Sequence, residues 1–195
     1  MDHMSRARSS FLISAIAVAA VTLSGCTLTG NGGPSNPPTP SETAKRTPAP
    51  TKTADAEGTP ITIGCNELVS PQAMYAYNPN FSLVADFVPA SGTPAADIID
   101  LHGLACEWEN QSSGETIDVA VANLSDQRLE ALKNQLVTTS NSVPTYEVEG
   151  YFEMNGPTGE ANAFDDPYWI VASSATFFEP GDAQPIVAAA INALR

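Results

Sequence analysis

Between Leu104 and Ser174 several short runs alternate apolar and polar residues with a period of two, and that pattern dictates a sheet. Leu104, Cys106 and Trp108 alternate with Ala105, Glu107 and Glu109. After a turn at 111–114, Ile117, Val119 and Val121 alternate with Thr116, Asp118 and Ala120, so the two runs form a hairpin. Val148, Phe152 and Met154 against Glu147, Glu149, Tyr151 and Glu153 give a third strand, closed by Gly156-Pro157. Glu160 to Phe164 and Tyr168 to Ser174 give two more. Helices are signalled around this block. Ser70-Pro71 and Thr93-Pro94 each pair an N-cap with proline at the first helical position. The first predicted helix runs to Tyr77; the second buries Ala95, Ile98, Ile99 and Leu101 and stops at Gly103. Ser125 caps a helix with Leu129, Leu132 and Leu136 at helical spacing. Asp182 opens a last one with Ile186, Val187, Ala190, Ile191 and Leu194 inward, and Arg195 at its negative pole. Phe81 to Val88 reads equally as strand or helix. The pattern predicts an α+β domain: an antiparallel sheet of about five strands with helices packed on one face.

The sheet block belongs to a domain over 61–195. Between Cys26 and Pro60 the chain is dominated by Thr, Pro, Ser, Gly and Ala, with almost no large apolar residue after Leu28. Such a segment cannot bury enough surface to offset ordering entropy, so 26–60 is expected to be a disordered tether. Fully extended, it reaches on the order of 100 Å. Upstream, an apolar run from Phe11 to Thr22 follows Arg6 and Arg8. At about 12 residues it is far shorter than the roughly 20 that cross a bilayer. A charged start, a short apolar middle and small residues ending at a cysteine are the parts of an export signal; an uncleaved membrane helix is the alternative.

Leu23-Ser24-Gly25-Cys26 resembles the lipobox of bacterial lipoproteins. The resemblance implies a signal peptide over 1–25, cleavage before Cys26 and a lipid on Cys26. The protein would then be held to the cell membrane on its extracytoplasmic side. Cys65 and Cys106 remain, an even pair in an exported chain, which reads as one disulfide. Closing a loop of roughly 42 residues, it is worth roughly 4 kcal/mol in the chain-entropy model. Metal-ligating thiolates are the alternative, but only His102 remains downstream of the tether as a nitrogen ligand. No metal or cofactor is expected. A second resemblance rests on Gly103-Leu104-x-Cys106-x-Trp108, the earlier Cys65, Gly150 in a middle strand and Tyr168-Trp169 before the last helix. This arrangement is similar to small actinobacterial cell-envelope lipoproteins with an uncharacterised domain. The resemblance implies an extracytoplasmic lipoprotein with Cys65 and Cys106 paired, and it brings no catalytic residues.

From Ile61 onward there are 18 acidic residues and three basic ones, Arg128, Lys133 and Arg195. A surface this acidic repels nucleic acid and anionic headgroups, and admits cationic or basic protein partners. Its bland role is solubility. By alternation Glu107, Glu109, Asp118, Glu147, Glu149 and Glu153 share the polar side of their strands, with Tyr151 among them. They form either an acidic face that meets a cationic partner or weakly holds divalent cations, or a plain solvated one. Glu107 and Glu109, roughly 7 Å apart along one strand, have the spacing of an inverting glycosidase pair but lack a buried acid. His102 is the only imidazole available to activate a nucleophile, with no Gly-x-Ser-x-Gly elbow beside it. Asp165-Asp166 before Pro167 reads as turn chemistry rather than a calcium site. Tyr75, Tyr77 and Phe81 line a small pocket or pack the core. The expected function is therefore a non-enzymatic envelope binding module. A solute or lipid carrier and a wall hydrolase are the alternatives. If Cys26 is acylated, a fatty-acid probe fed to cells should label the wild type and spare Cys26→Ala; equal labelling of both, or of neither, refutes the anchor.

Overall fold

The computed structural model describes residues 58–195; the expected signal segment, Cys26 and nearly all of the expected tether lie outside the described residues. A single turn, α1 (Cys65–Leu68), opens the helical part. Ser70 Oγ then accepts from the Ala73 N–H at 3.2 Å to start α2 (Pro71–Tyr77). Thr93 Oγ1 accepts from the Ala96 N–H at 3.3 Å to start α3 (Pro94–Asp100). In both, the side-chain oxygen satisfies an amide that the helix itself leaves open, and proline supplies the first φ angle.

The stop of α3 differs from the expectation. His102, not Gly103, takes the left-handed position, with φ 59°. Its N–H reaches Ile99 O and the Gly103 N–H reaches Ile98 O, the paired bonds of a Schellman ending. Gly103 serves close packing instead. A Cβ there would stand 2.4 Å from Val121 O and 2.5 Å from Ile98 Cγ2. Ile99, expected inside, is 43% exposed.

Seven strands, all antiparallel, form one sheet in the order β1-β2-β3-β7-β6-β5-β4. They are β1 (Phe81–Leu83), β2 (Leu104–Asn110), β3 (Thr116–Asn123), β4 (Asn141–Ser142), β5 (Glu149–Asn155), β6 (Thr158–Asp165) and β7 (Tyr168–Ser174). Five were expected. The additional two are edge strands of three and two residues, too short to show a period. After β3, α4 (Asp126–Thr139) carries the chain to the far edge. The β5-β6-β7 meander then returns until β7 pairs with β3 at the centre. The last helix is α5 (Pro180–Leu194).

Helices cover both faces, not one. On the first face α1, α2 and α5 bury Leu68, Met74, Ile186 and Val187 against Trp108, Val119, Phe152 and Ile170. On the second, α3 and α4 bury Ile98, Leu129 and Leu136 against Ala122, Phe164, Trp169 and Val171. The central strands require this. In β3 Ile117, Val119 and Val121 face one way and Ala120 and Ala122 the other, and in β7 Ile170 and Ala172 oppose Trp169 and Val171. A strand apolar on both sides has to be covered on both.

The Cys65–Cys106 disulfide joins α1 to β2 with Cα atoms 5.7 Å apart. Gly150 admits the Tyr146 ring, whose Cδ2 would lie 2.5 Å from a Cβ at that position. Chain contacts with the domain begin slightly before residue 61, where the Thr59 N–H donates to Asn123 O at 2.8 Å. Replacing both cysteines by alanine should lower unfolding free energy by about 2–5 kcal/mol in urea melts, with native circular dichroism retained. An unchanged midpoint would contradict a structural role for the bridge.

Candidate functional site

Strand register places a line of carboxylates across the second face. Glu107 of β2 lies opposite Asp118 of β3, Asp118 opposite Ser173 of β7, Ser173 opposite Glu160 of β6, and Glu160 opposite Glu153 of β5. With strands about 4.8 Å apart, the row Glu107–Asp118–Ser173–Glu160–Glu153 spans about 19 Å. All five residues have the parity of Ala120, Phe164 and Trp169, so they belong to the α3–α4 face.

Burial separates these acids. Glu160 is 8% exposed and Asp118 and Glu107 are partly buried. Burial first, then the charge of Glu107 and a hydrogen bond with it, push the Asp118 carboxyl up to about 7. Asp118 Oδ1 is buried with no hydrogen-bond partner. Glu160 is raised as well, by burial and by the charge of Glu153, against a lowering bond from Asn162.

The structure distributes the six acids expected on one face unevenly. Glu107, Asp118 and Glu153 join the row. Glu109 is on the same face of β2 but exposed and one position beyond it, opposite Thr116. Glu149 belongs to a different cluster, 3.5 Å from Lys133 Nζ and accepting from the Tyr151 hydroxyl at 2.6 Å. Glu147 is off the sheet, in a left-handed turn with φ 63°. Glu160 is the acid that the pattern reading passed over. Glu160-x-Asn162-x-Phe164, with Ala161 and Ala163 between, carries the same period-two signal as its neighbours.

Beside the row, α3 and α4 flank a cleft made of two adjoining hollows of about 340 and 290 Å³, both lined by Asp97, Leu132 and Trp169. Asp100 and Arg128 line the larger; Glu153, Glu160 and Asn162 line the smaller. Asn162 is 1% exposed and bridges two side chains. Trp169 Nε1–H donates to its Oδ1 at 2.9 Å, and its Nδ2–H donates to Glu160 Oε1 at 2.9 Å. Indole nitrogen is only a donor, so the Asn162 oxygen must face Trp169 and its nitrogen must face Glu160.

The remaining candidates are placed apart from this cleft. His102 is exposed at the helix ending and lines neither hollow. Asp165 is held by Arg195 at 2.8 and 3.2 Å, and Asp166, in the β6–β7 turn, meets Lys133 at 3.2 Å. Tyr75 and Phe81 line a separate hollow of about 250 Å³ on the other face, while the Tyr77 ring packs 6.0 Å from Phe81. Among the described residues no three His, Cys, Asp or Glu side chains converge as metal ligands do. Compared with family models, curated proteins and solved structures, the chain matches none.

Asp118 gives the fold a pH dependence of defined sign. Folded, it keeps its proton to about pH 7; unfolded, it loses it near 3.8. The native state therefore binds more protons across that interval, and stability falls as pH rises through it. Asp118→Asn should match the wild type at the acid end and melt several degrees higher above pH 7. Thermal melts across this range that show parallel curves for the two proteins would contradict the assignment.

Proposed function

We propose that this chain is a lipid-anchored, extracytoplasmic binding protein that uses the α3–α4 face of its sheet to hold cationic ligands at the cell envelope. The observation that carries the reading is the row itself. Like charges directly opposite on neighbouring strands destabilise a sheet. Two such pairs, Glu107 with Asp118 and Glu153 with Glu160, occur at one register. Partial burial disfavours the charged forms further, so Asp118 keeps its proton to about pH 7 and the like-charge pair with Glu107 develops above it. Among the basic side chains, Lys133 is engaged by Glu130, Glu149 and Asp166, Arg195 by Asp165, and Arg128 lines the larger hollow, which none of the row acids lines. A cation from outside relieves what the fold leaves unbalanced.

Thr59 joins the sheet at Asn123, and Asp118 lies five residues back along β3. At about 3.4 Å per residue the row is about 17 Å from that junction. The lipobox-like Leu23-Ser24-Gly25-Cys26 supplies the anchor in this reading. A solute carrier is the second reading. It draws on the hollows of about 340 and 290 Å³, which reach the lower end of small-ligand pockets. Both readings lead to a positively charged ligand, and neither requires catalysis.

Tetralysine peptide is the direct probe. It should bind the full chain with an affinity that falls as salt rises, while tetraglutamate does not bind. Glu107→Gln with Glu153→Gln should weaken tetralysine about fivefold or more, whereas Glu109→Gln with Glu115→Gln should leave it within about twofold. Equal losses in the two double variants would mean bulk charge alone, and the row would have no role.

A further inference from the structure

Resting on that cationic-ligand reading, we infer that the cleft between α3 and α4 holds a primary ammonium group on an aliphatic stem, with the ammonium donating to Glu160 Oε2 and the stem along Leu132, Leu136 and Trp169. The buried relay decides which atom is offered. Trp169 fixes the Asn162 amide, and Asn162 occupies Glu160 Oε1. Among the described residues no donor reaches Oε2. Glu160 as a residue is more than nine-tenths buried and lines the smaller hollow, where Oε2 keeps contact with solvent and its acceptor capacity is open to a ligand. A carboxylate oxygen facing a narrow, partly apolar hollow accepts a charge-assisted hydrogen bond more strongly than one in open water.

The surroundings select among cations. Glu153 and Asp97 line the same hollow and add negative potential. Leu132 and Leu136, along α4, give it an apolar wall. A hydrated divalent ion gains nothing from that wall and needs several converging oxygens, which the row, drawn out across the sheet, does not provide. A guanidinium binds best through two oxygens of one carboxylate, and one is already taken by Asn162. An ammonium is a compact donor that needs only one, and its methylene stem packs on apolar surface. A free alkylamine and a lysine side chain of a peptide share this chemistry.

The two tryptophans give a built-in readout. Trp169 is in the floor of the cleft, and Trp108 lies in the core of the opposite face. The ¹⁵N-labelled full chain is titrated, at mildly alkaline pH, with cadaverine and with acetyl-Ala-Lys-Ala-amide. Pentanol and the norleucine peptide are the neutral counterparts. Amine addition should shift the Trp169 indole N–H and leave Trp108 in place; the neutral counterparts should do neither at equal concentration. Glu160→Gln should raise Kd about tenfold, the scale of one charge-assisted hydrogen bond. Binding of cadaverine alone or of the peptide alone supports the site and identifies which source fits. Equal shifts from neutral counterparts, a Trp108 shift in place of Trp169, or unchanged affinity in Glu160→Gln overturns the inference. The wild-type comparison of amine with neutral counterpart decides the matter even if Glu160→Gln misfolds. If tetralysine binds through Glu107 and Glu153 while neither amine probe moves Trp169, the cleft assignment fails and the acidic-face reading stands.

Discussion

Pairing of β3 with β7 holds the molecule together. The two strands are about fifty residues apart in sequence, yet they lie side by side at the centre, from Asp118 opposite Ser173 to Asn123 opposite Tyr168. Each is apolar on both sides, so their contact joins two meanders and creates two cores at once. Register here governs the acidic row. A slip of one residue would turn Ile170 and Ala172 toward α3 and α4 and carry Ser173 into the other core. The line from Glu107 to Glu153 exists only because this central seam aligns two hairpins that never meet in sequence.

Local structure was legible wherever one residue's chemistry decided it. Ser70-Pro71 and Thr93-Pro94 start helices because an oxygen and a fixed φ act within four residues. The alternation of Leu104–Glu109 and Thr116–Val121 identifies strands because one side of each is apolar. The same alternation also placed Glu107, Asp118 and Glu153 on one face. What it could not deliver was order. Nothing in the two halves says that β7 docks on β3, so neither the opposition of Asp118 to Ser173 nor the row was visible. The second helical layer was hidden for a related reason. Ala120 and Ala122 are small enough to read as indifferent to water, and only the packed structure reveals that they are covered.

Glu147 and Glu160 show the two ways a pattern misleads. Glu147 continues the run Glu147-Val148-Glu149, but the turn at Pro144–Tyr146 ends with a left-handed residue there, which takes it out of the sheet. Glu160 looks like an ordinary solvent-facing acid in a strand, yet it is buried at the wall of a hollow that it shares with Leu132, Leu136 and Thr139 of α4. Its burial is tolerable because Asn162 donates to one oxygen, and Asn162 is in turn fixed by Trp169. A buried carboxylate with a satisfied side and an open side is a different chemical object from a surface glutamate, and sequence alone does not tell them apart.

The two ends of the α3–α4 face treat charge in opposite ways. Toward Asp165 and Asp166, where β6 turns into β7, every acid named has a basic partner: Lys133 meets Glu130, Glu149 and Asp166, and its Nζ lies 5.6 Å from the centre of the Phe164 ring. Arg195 closes Asp165. Toward Glu153 and Glu160 the carboxylates face one another. Charge that served solubility alone would be dispersed, exposed and indifferent to register. Here it is aligned on one row, partly buried, and raised in pKa at Asp118 and Glu160 by that burial and by neighbouring acids. The fold thus places Lys133 and Arg195 among the acids at one end and leaves Glu107, Asp118, Glu153 and Glu160 facing one another at the other, while Arg128 lines the larger hollow. That asymmetry, rather than net charge, is the physical ground for assigning the face a ligand.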